Sequence, residues 1–109
     1  MKVYIAQPMQ HHTDQEIQSK RKAAEDYILA RHEDSEVVFT NRYMKEFADE
    51  SNPLECLGKS LEFLANSDMA FFVPGWENSR GCQIESMCCD LYGIPWVILP
   101  EDFAEKTNH

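Results

Sequence analysis

The sequence predicts a single α/β domain, a parallel sheet of about four strands with helices on both faces. Three observations carry this expectation. The chain has 109 residues, enough for one hydrophobic core but marginal for two. Four short β-rich segments, KVYIA, EVVFT, MAFFVP and PWVILP, are each bounded by polar or Pro/Gly punctuation, as buried strands are. Segments with helical spacing run between them, and alternation of this kind implies parallel pairing through right-handed crossovers.

Each element has its own local chemistry. After the first strand, Thr13 followed by Glu16 has the spacing of a capping box, and Ile17, Ala24, Tyr27, Ile28 and Arg31 recur at helical intervals, so a helix is expected from about 14 to 32. The second strand, EVVFT, leads into a polar connection. Asn52, Pro53 and Glu55 then supply a cap, an N1 proline and an N3 acid. In the helix that follows, Leu54, Leu57, Leu61 and Leu64 form one apolar face with Phe63 alongside. A third helix is expected from near Cys82 to Gly93, a residue suited to a C-terminal cap, with Ile84, Met87, Cys88 and Leu91 as its apolar residues. The polar tail EDFAEKTNH has no partner in this plan and either frays or reaches another subunit. By analogy with flavodoxin-like (Rossmann-like) folds, the expected strand order is 2-1-3-4.

Composition narrows the function classes. A net charge of −9 with only 10 Lys and Arg opposes binding to a nucleic acid polymer or an anionic membrane, because both need clustered cations. No apolar run approaches the roughly 18 residues of a membrane span, and MKVYIAQPM reads as a strand rather than a cleaved leader, so a cytoplasmic protein is expected. Cys56, Cys82, Cys88 and Cys89 lack paired metal-ligand spacing and are read as reduced packing residues. Adjacent His11 and His12 do not point at one ion, and no metal is expected.

An open parallel sheet binds ligands beyond the carboxyl ends of its strands, where the strand order reverses. That point would collect QPMQHHT after the first strand and GWENSRG after the third. Gly81 and the first amides of the third helix can face an anion, with Ser79 and Arg80 as further donors, which makes a phosphate pocket. Glu85 falls about one turn into that helix, where the dipole favours its ionised form by about 0.3–1 kcal/mol. An ionised carboxylate there can attack a sugar carbon; the simpler reading is an N3 acid closing the cap. Trp76 either stacks on a planar base or covers the loop. Tyr4 points either into the core or toward Glu85.

YIAQPM at the first strand end, SDMAFFVPGW at the third and SRGCQIE entering the last helix together resemble the nucleoside 2-deoxyribosyltransferase superfamily over almost the whole chain. Its relatives include transferases that exchange bases on 2'-deoxyribose and N-glycosidases that hydrolyse nucleoside 5'-monophosphates. The resemblance implies that Glu85 is the nucleophile, that Tyr4 orients it, and that Ser79, Arg80 and Gly81 meet sugar or phosphate. Gln7, Pro8 and Met9 would line the pocket from the first strand, and Gly75, Trp76, Glu77 and Asn78 from the loop after the third. It further implies a homodimer or higher homo-oligomer whose neighbouring subunit completes the pocket, and no cofactor.

The chain departs from the family pattern in two places. Relatives commonly carry an aspartate eight residues before the acid that opens the third strand; counting back from Asp68 places Ser60 there. That aspartate assists proton transfer at the base. Glu62 should project from another helical face, whereas Glu77 on the loop is a candidate substitute. The first-strand loop also lacks the glycine often found there, and His11 or His12 is a candidate proton donor. The expected activity is cleavage or transfer at the N-glycosidic bond of a (deoxy)nucleoside or its 5'-monophosphate through a glycosyl-glutamate. The alternative is a catalytically inactive nucleotide-binding or sensing module of the same fold.

Overall fold

The structure, a computed structural model, describes residues 1–42 and 52–106. The polar connection expected after the second strand lies at 43–51, and the end of the tail at 107–109, outside the described residues. The elements run β1 (Lys2–Ala6), α1 (Asp14–Arg31), β2 (Val38–Phe39), α2 (Pro53–Ala65), β3 (Met69–Phe72), a 3₁₀ turn (Trp76–Asn78), α3 (Arg80–Tyr92), β4 (Trp96–Ile98) and α4 (Phe103–Lys106). The strands pair in parallel in the order β2-β1-β3-β4, the expected 2-1-3-4. The chain is an α/β domain with a four-stranded all-parallel sheet flanked by helices. Among the described residues no helix is long and apolar enough to cross a membrane.

Strand alternation divides the core in two. Val3 and Ile5 of β1 pack with Phe71, Val73 and Leu99 against Ala24, Tyr27 and Ile28 of α1. Tyr4 and Ala6 point to the other face, where Ala70 and Phe72 meet Leu64 of α2 and Cys82 and Cys89 of α3. The two clusters thus put α1 on one face and α2 and α3 on the other, as right-handed crossovers in this strand order require.

The caps form where local chemistry places them. Thr13 and Glu16 close a full capping box, and the Asn52 side chain accepts from the Glu55 amide with Pro53 opening the helix. Gly93 adopts φ 74° at the end of α3, a left-handed conformation that glycine takes without steric cost.

Four expectations are corrected. β2 is two residues long rather than five, and Val38 is half exposed; at the sheet edge one neighbour supplies its only ladder. Instead of a longer strand, the Asn41 side chain bonds both backbone polar groups of Ile5, accepting from N–H at 3.0 Å and donating to C=O at 2.8 Å. Helix α3 begins at Arg80, not near Cys82, because Ser79 is its N-cap and accepts from the Cys82 amide. Leu54, Met87 and Leu91 are exposed rather than packed, since the stripes of α2 and α3 that meet the sheet are centred on Leu64 and on Cys82, Glu85 and Cys89. At Phe103 the tail is docked on the domain: its ring is buried at 4 % exposure in the α1 cluster.

Removing that ring tests the docked tail. Phe103→Ala should cost about 3 kcal/mol or more in denaturant unfolding, as truncating a buried phenylalanine does; a loss under about 0.5 kcal/mol would mean that the tail is not part of the core.

Candidate active site

A cleft of about 520 Å³ opens at the carboxyl ends of β1 and β3, the reversal point of the strand order. Tyr4 and Glu85 lie at its floor, Gln7, Met9 and Gln10 at the end of β1, Asn41 and Arg42 beyond β2, Leu54, Leu57 and Ser60 on α2, and Ser79, Arg80 and Gly81 at the start of α3. Its position follows from topology alone. After β1 the chain turns to one face, and after β3 to the other, so nothing in the sheet fills the space between.

The floor is built from two residues far apart in sequence. Tyr4 sits in the inner strand β1 on the face toward α3, buried at 3 % exposure. Its hydroxyl donates to Oε2 of Glu85. The two readings of Tyr4 are therefore one: the ring is core and the hydroxyl reaches the carboxylate.

Glu85 is the sixth residue of α3, in its second turn, and is buried at 4 % exposure. The cap reading is excluded, because N3 is Cys82 and the first turn holds no acid. The expected dipole stabilisation is also corrected, since that effect fades beyond the first turn. Burial dominates instead and pushes the carboxyl up to about 7, against the smaller lowering effects of the Tyr4 and Cys82 side chains. Tyr4 is raised well above the ordinary tyrosine value by burial and by the Glu85 charge, with Ser60 beside its hydroxyl acting the other way. Cys82 is pushed up to about 12 by the same burial and the same charge, so its thiol stays protonated. A carboxylate poised near neutrality among protonated neighbours is an environment typical of catalytic groups.

The remaining expected residues divide. Gln7, Met9, Ser79, Arg80 and Gly81 line the cleft with Tyr4 and Glu85. Gln7 is anchored by its amide nitrogen, which donates to the Ile17 carbonyl at 2.9 Å. Pro8, Gly75, Trp76, Glu77 and Asn78 are not among the lining residues. Gly75 turns the chain at φ 95°, and the turn it starts directs Trp76 onto Phe72 and Trp96, with centroids at 5.4 Å from each. Trp76 thus covers the loop rather than offering a face to a base. Glu77 is exposed, and its carbonyl accepts from the Gln83 side chain. His11 and His12 are also outside the cleft; His12 sits 3.7 Å from Glu16 on the capping box. No group of residues suited to hold a metal occurs among the described residues.

Arg21 and Asn41 were missed by sequence reading. A signal was present for the first: Arg21 interrupts the buried stripe Ile17, Ala24 and Ile28 of α1 with a charge. Such a residue must have partners, and these are Glu25 one turn on and the Asn41 carbonyl 20 residues away.

Comparison of the chain with protein-family models, with curated proteins and with solved structures returned no match.

The raised Glu85 carboxyl makes stability depend on pH with a definite sign. The folded protein holds this proton more tightly than the unfolded chain, so the protonated carboxyl costs nothing below about 4.5, and stability is lost as pH rises through about 7. Glu85→Gln removes that loss. The variant should be more stable than wild type at pH 8 by on the order of 3 kcal/mol, with the gap closing toward pH 4; a gap independent of pH would show an unshifted carboxyl.

Proposed function

We propose that this cleft cleaves the N-glycosidic bond of a deoxynucleoside or its 5'-monophosphate, with Glu85 as covalent nucleophile. One observation carries the reading: a buried carboxylate, oriented by a tyrosine hydroxyl, lies at the floor of a cleft whose rim is the N-terminus of the same helix. The YIAQPM, SDMAFFVPGW and SRGCQIE segments, which resemble nucleoside 2-deoxyribosyltransferases and nucleotide N-glycosidases, support the same assignment.

In the first step an oxygen of ionised Glu85 attacks C1', the C1'–N bond breaks, and its electron pair leaves with the base. The base takes a proton from solvent or from a neighbouring donor. A glycosyl ester of Glu85 remains. Water attacks C1' in the second step, the ester oxygen regains its electron pair, and the water proton passes to solvent; a second base in place of water gives transfer. Two displacements restore the original configuration at C1'. The Tyr4 hydroxyl holds one carboxylate oxygen, which leaves the other for attack. Ser79, Arg80 and the first amides of α3 would hold a 5'-phosphate, with the dipole adding to the attraction. The chemistry needs no metal or cofactor.

The reading includes a homodimer acting in the cytoplasm. Met87 and Leu91, one turn apart and exposed on α3, support self-association, and the thiols of Cys82, Cys88 and Cys89 suit a reducing compartment. Sedimentation of the purified chain as a monomer at micromolar concentration would remove the dimer. The second reading is a nucleotide-binding module without turnover, favoured by Ser60, a hydroxyl rather than an acid beside Tyr4 at the cleft floor.

Base release from a panel of deoxynucleosides and their 5'-monophosphates, with and without an acceptor base, separates the two. Turnover should rise with pH through about 7 as Glu85 ionises, and Glu85→Gln should lower it by a factor on the order of 10³ or more. Tight binding without base release from any substrate would establish the module instead.

Arg80→Ala should weaken binding of a monophosphate about tenfold or more while leaving the matching nucleoside nearly unchanged, because only the first loses a charge-assisted contact. Equal losses, measured by calorimetry, would make Arg80 structural.

A further inference from the structure

Arg21 lines the same cleft as Glu85 although it belongs to α1 and is only 7 % exposed. Three contacts fix it. Its Nε donates to Glu25 at 2.9 Å, Nη2 donates to the Asn41 carbonyl, and the Phe39 ring centroid lies 5.8 Å from its Cζ. Asn41 is itself locked to both backbone groups of Ile5. A guanidinium has five N–H donors in a planar fork. Glu25 and Asn41 take one on Nε and one on Nη2, and among the described residues Nη1 has no hydrogen-bond partner. A buried, rigidly held fork with donors to spare at a cleft wall is built for a planar acceptor.

Its place in the sheet says which part of a ligand it meets. Arg21 is tied to the end of β2 through Phe39 and Asn41, whereas Arg80 opens α3 just after β3. β1 lies between these two strands, which are about 10 Å apart, two strand spacings, and the two arginines line the cleft from either side of it. Tyr4 on β1, and with it Glu85, falls in the middle. With phosphate at Ser79 to Gly81 and C1' over Glu85, the base extends toward Arg21. A 6-oxopurine presents O6 and N7 as adjacent acceptors, the pair that an arginine fork matches, while a 6-aminopurine replaces one acceptor by a donor.

We propose that Arg21 reads the leaving base and selects a 6-oxopurine over a 6-aminopurine. The assignment rests on the glycosidase reading for the direction of the ligand, but its test does not require turnover. Calorimetry on the Glu85→Gln protein would compare 2'-deoxyinosine 5'-monophosphate with 2'-deoxyadenosine 5'-monophosphate. The first should bind about 5- to 150-fold more tightly, the range of one bidentate base contact. Arg21→Lys on the same background, which keeps the charge and loses the fork, should bring the ratio near one. Equal affinities, a preference for the aminopurine, or no binding of either would overturn the assignment even if Arg21→Lys fails to fold. A preference that survives the lysine would overturn it as well. Selective binding together with no base release from wild type would overturn the glycosidase reading and leave Arg21 as the base reader.

Discussion

The hydrogen bond from Tyr4 to Glu85 is the contact on which the site depends. It ties an inner strand at the beginning of the chain to a helix 81 residues later, and it forms only if several independent features agree. The β1–β3 register must turn Tyr4 rather than Val3 or Ile5 toward α3. A slip of one residue would reverse every side chain of the strand. Ser79 must cap α3, the helix whose buried stripe of Cys82, Glu85 and Cys89 carries the carboxylate. Gly75 must then turn the chain between β3 and α3, and its left-handed φ serves that turn.

The same contact decides the electrostatics. Burying a carboxylate disfavours its charge, and the one strong hydrogen bond to it offsets only part of that cost. Glu85 therefore rests near the point where proton and charge are balanced at neutral pH. A buried group that weakens the fold when ionised is hard to explain by stability alone, and such groups cluster at functional sites. The cleft compensates locally. In a protein of net charge −9, Arg21, Arg42 and Arg80 all line it, which gathers cations around the Glu85 carboxyl on an otherwise acidic molecule.

Much of the fold was legible because its signals are local. Thr13 with Glu16, Asn52 with Pro53, and Gly93 each announce a helix end through chemistry within four residues. The alternation of strands and helices then leaves few topologies. The errors lie where tertiary neighbours decide. Ser79 was read as a ligand donor alone, and that displaced the start of α3, although a hydroxyl can cap a helix as acceptor and still donate elsewhere. Trp76 is expected in the pocket because its loop is there, but Phe72 four residues before it and Trp96 twenty residues after it hold the ring against the sheet. Phe103 looked partnerless in a polar tail because its neighbours are on α1. Arg21 was passed over for the same reason: helical spacing places it on the buried stripe, but only the folded chain shows that Glu25 and Asn41 make its burial tolerable.

The most direct test of Glu85 as nucleophile is to trap the covalent ester. A 2'-fluoro-arabinosyl nucleoside 5'-monophosphate forms such an ester and, because fluorine destabilises the second transition state, releases it slowly. After incubation and proteolysis, mass spectrometry should find the fluorinated sugar phosphate attached to the peptide that contains Glu85, and none attached in Glu85→Gln. Release of base with that peptide unmodified would contradict a covalent mechanism at this residue.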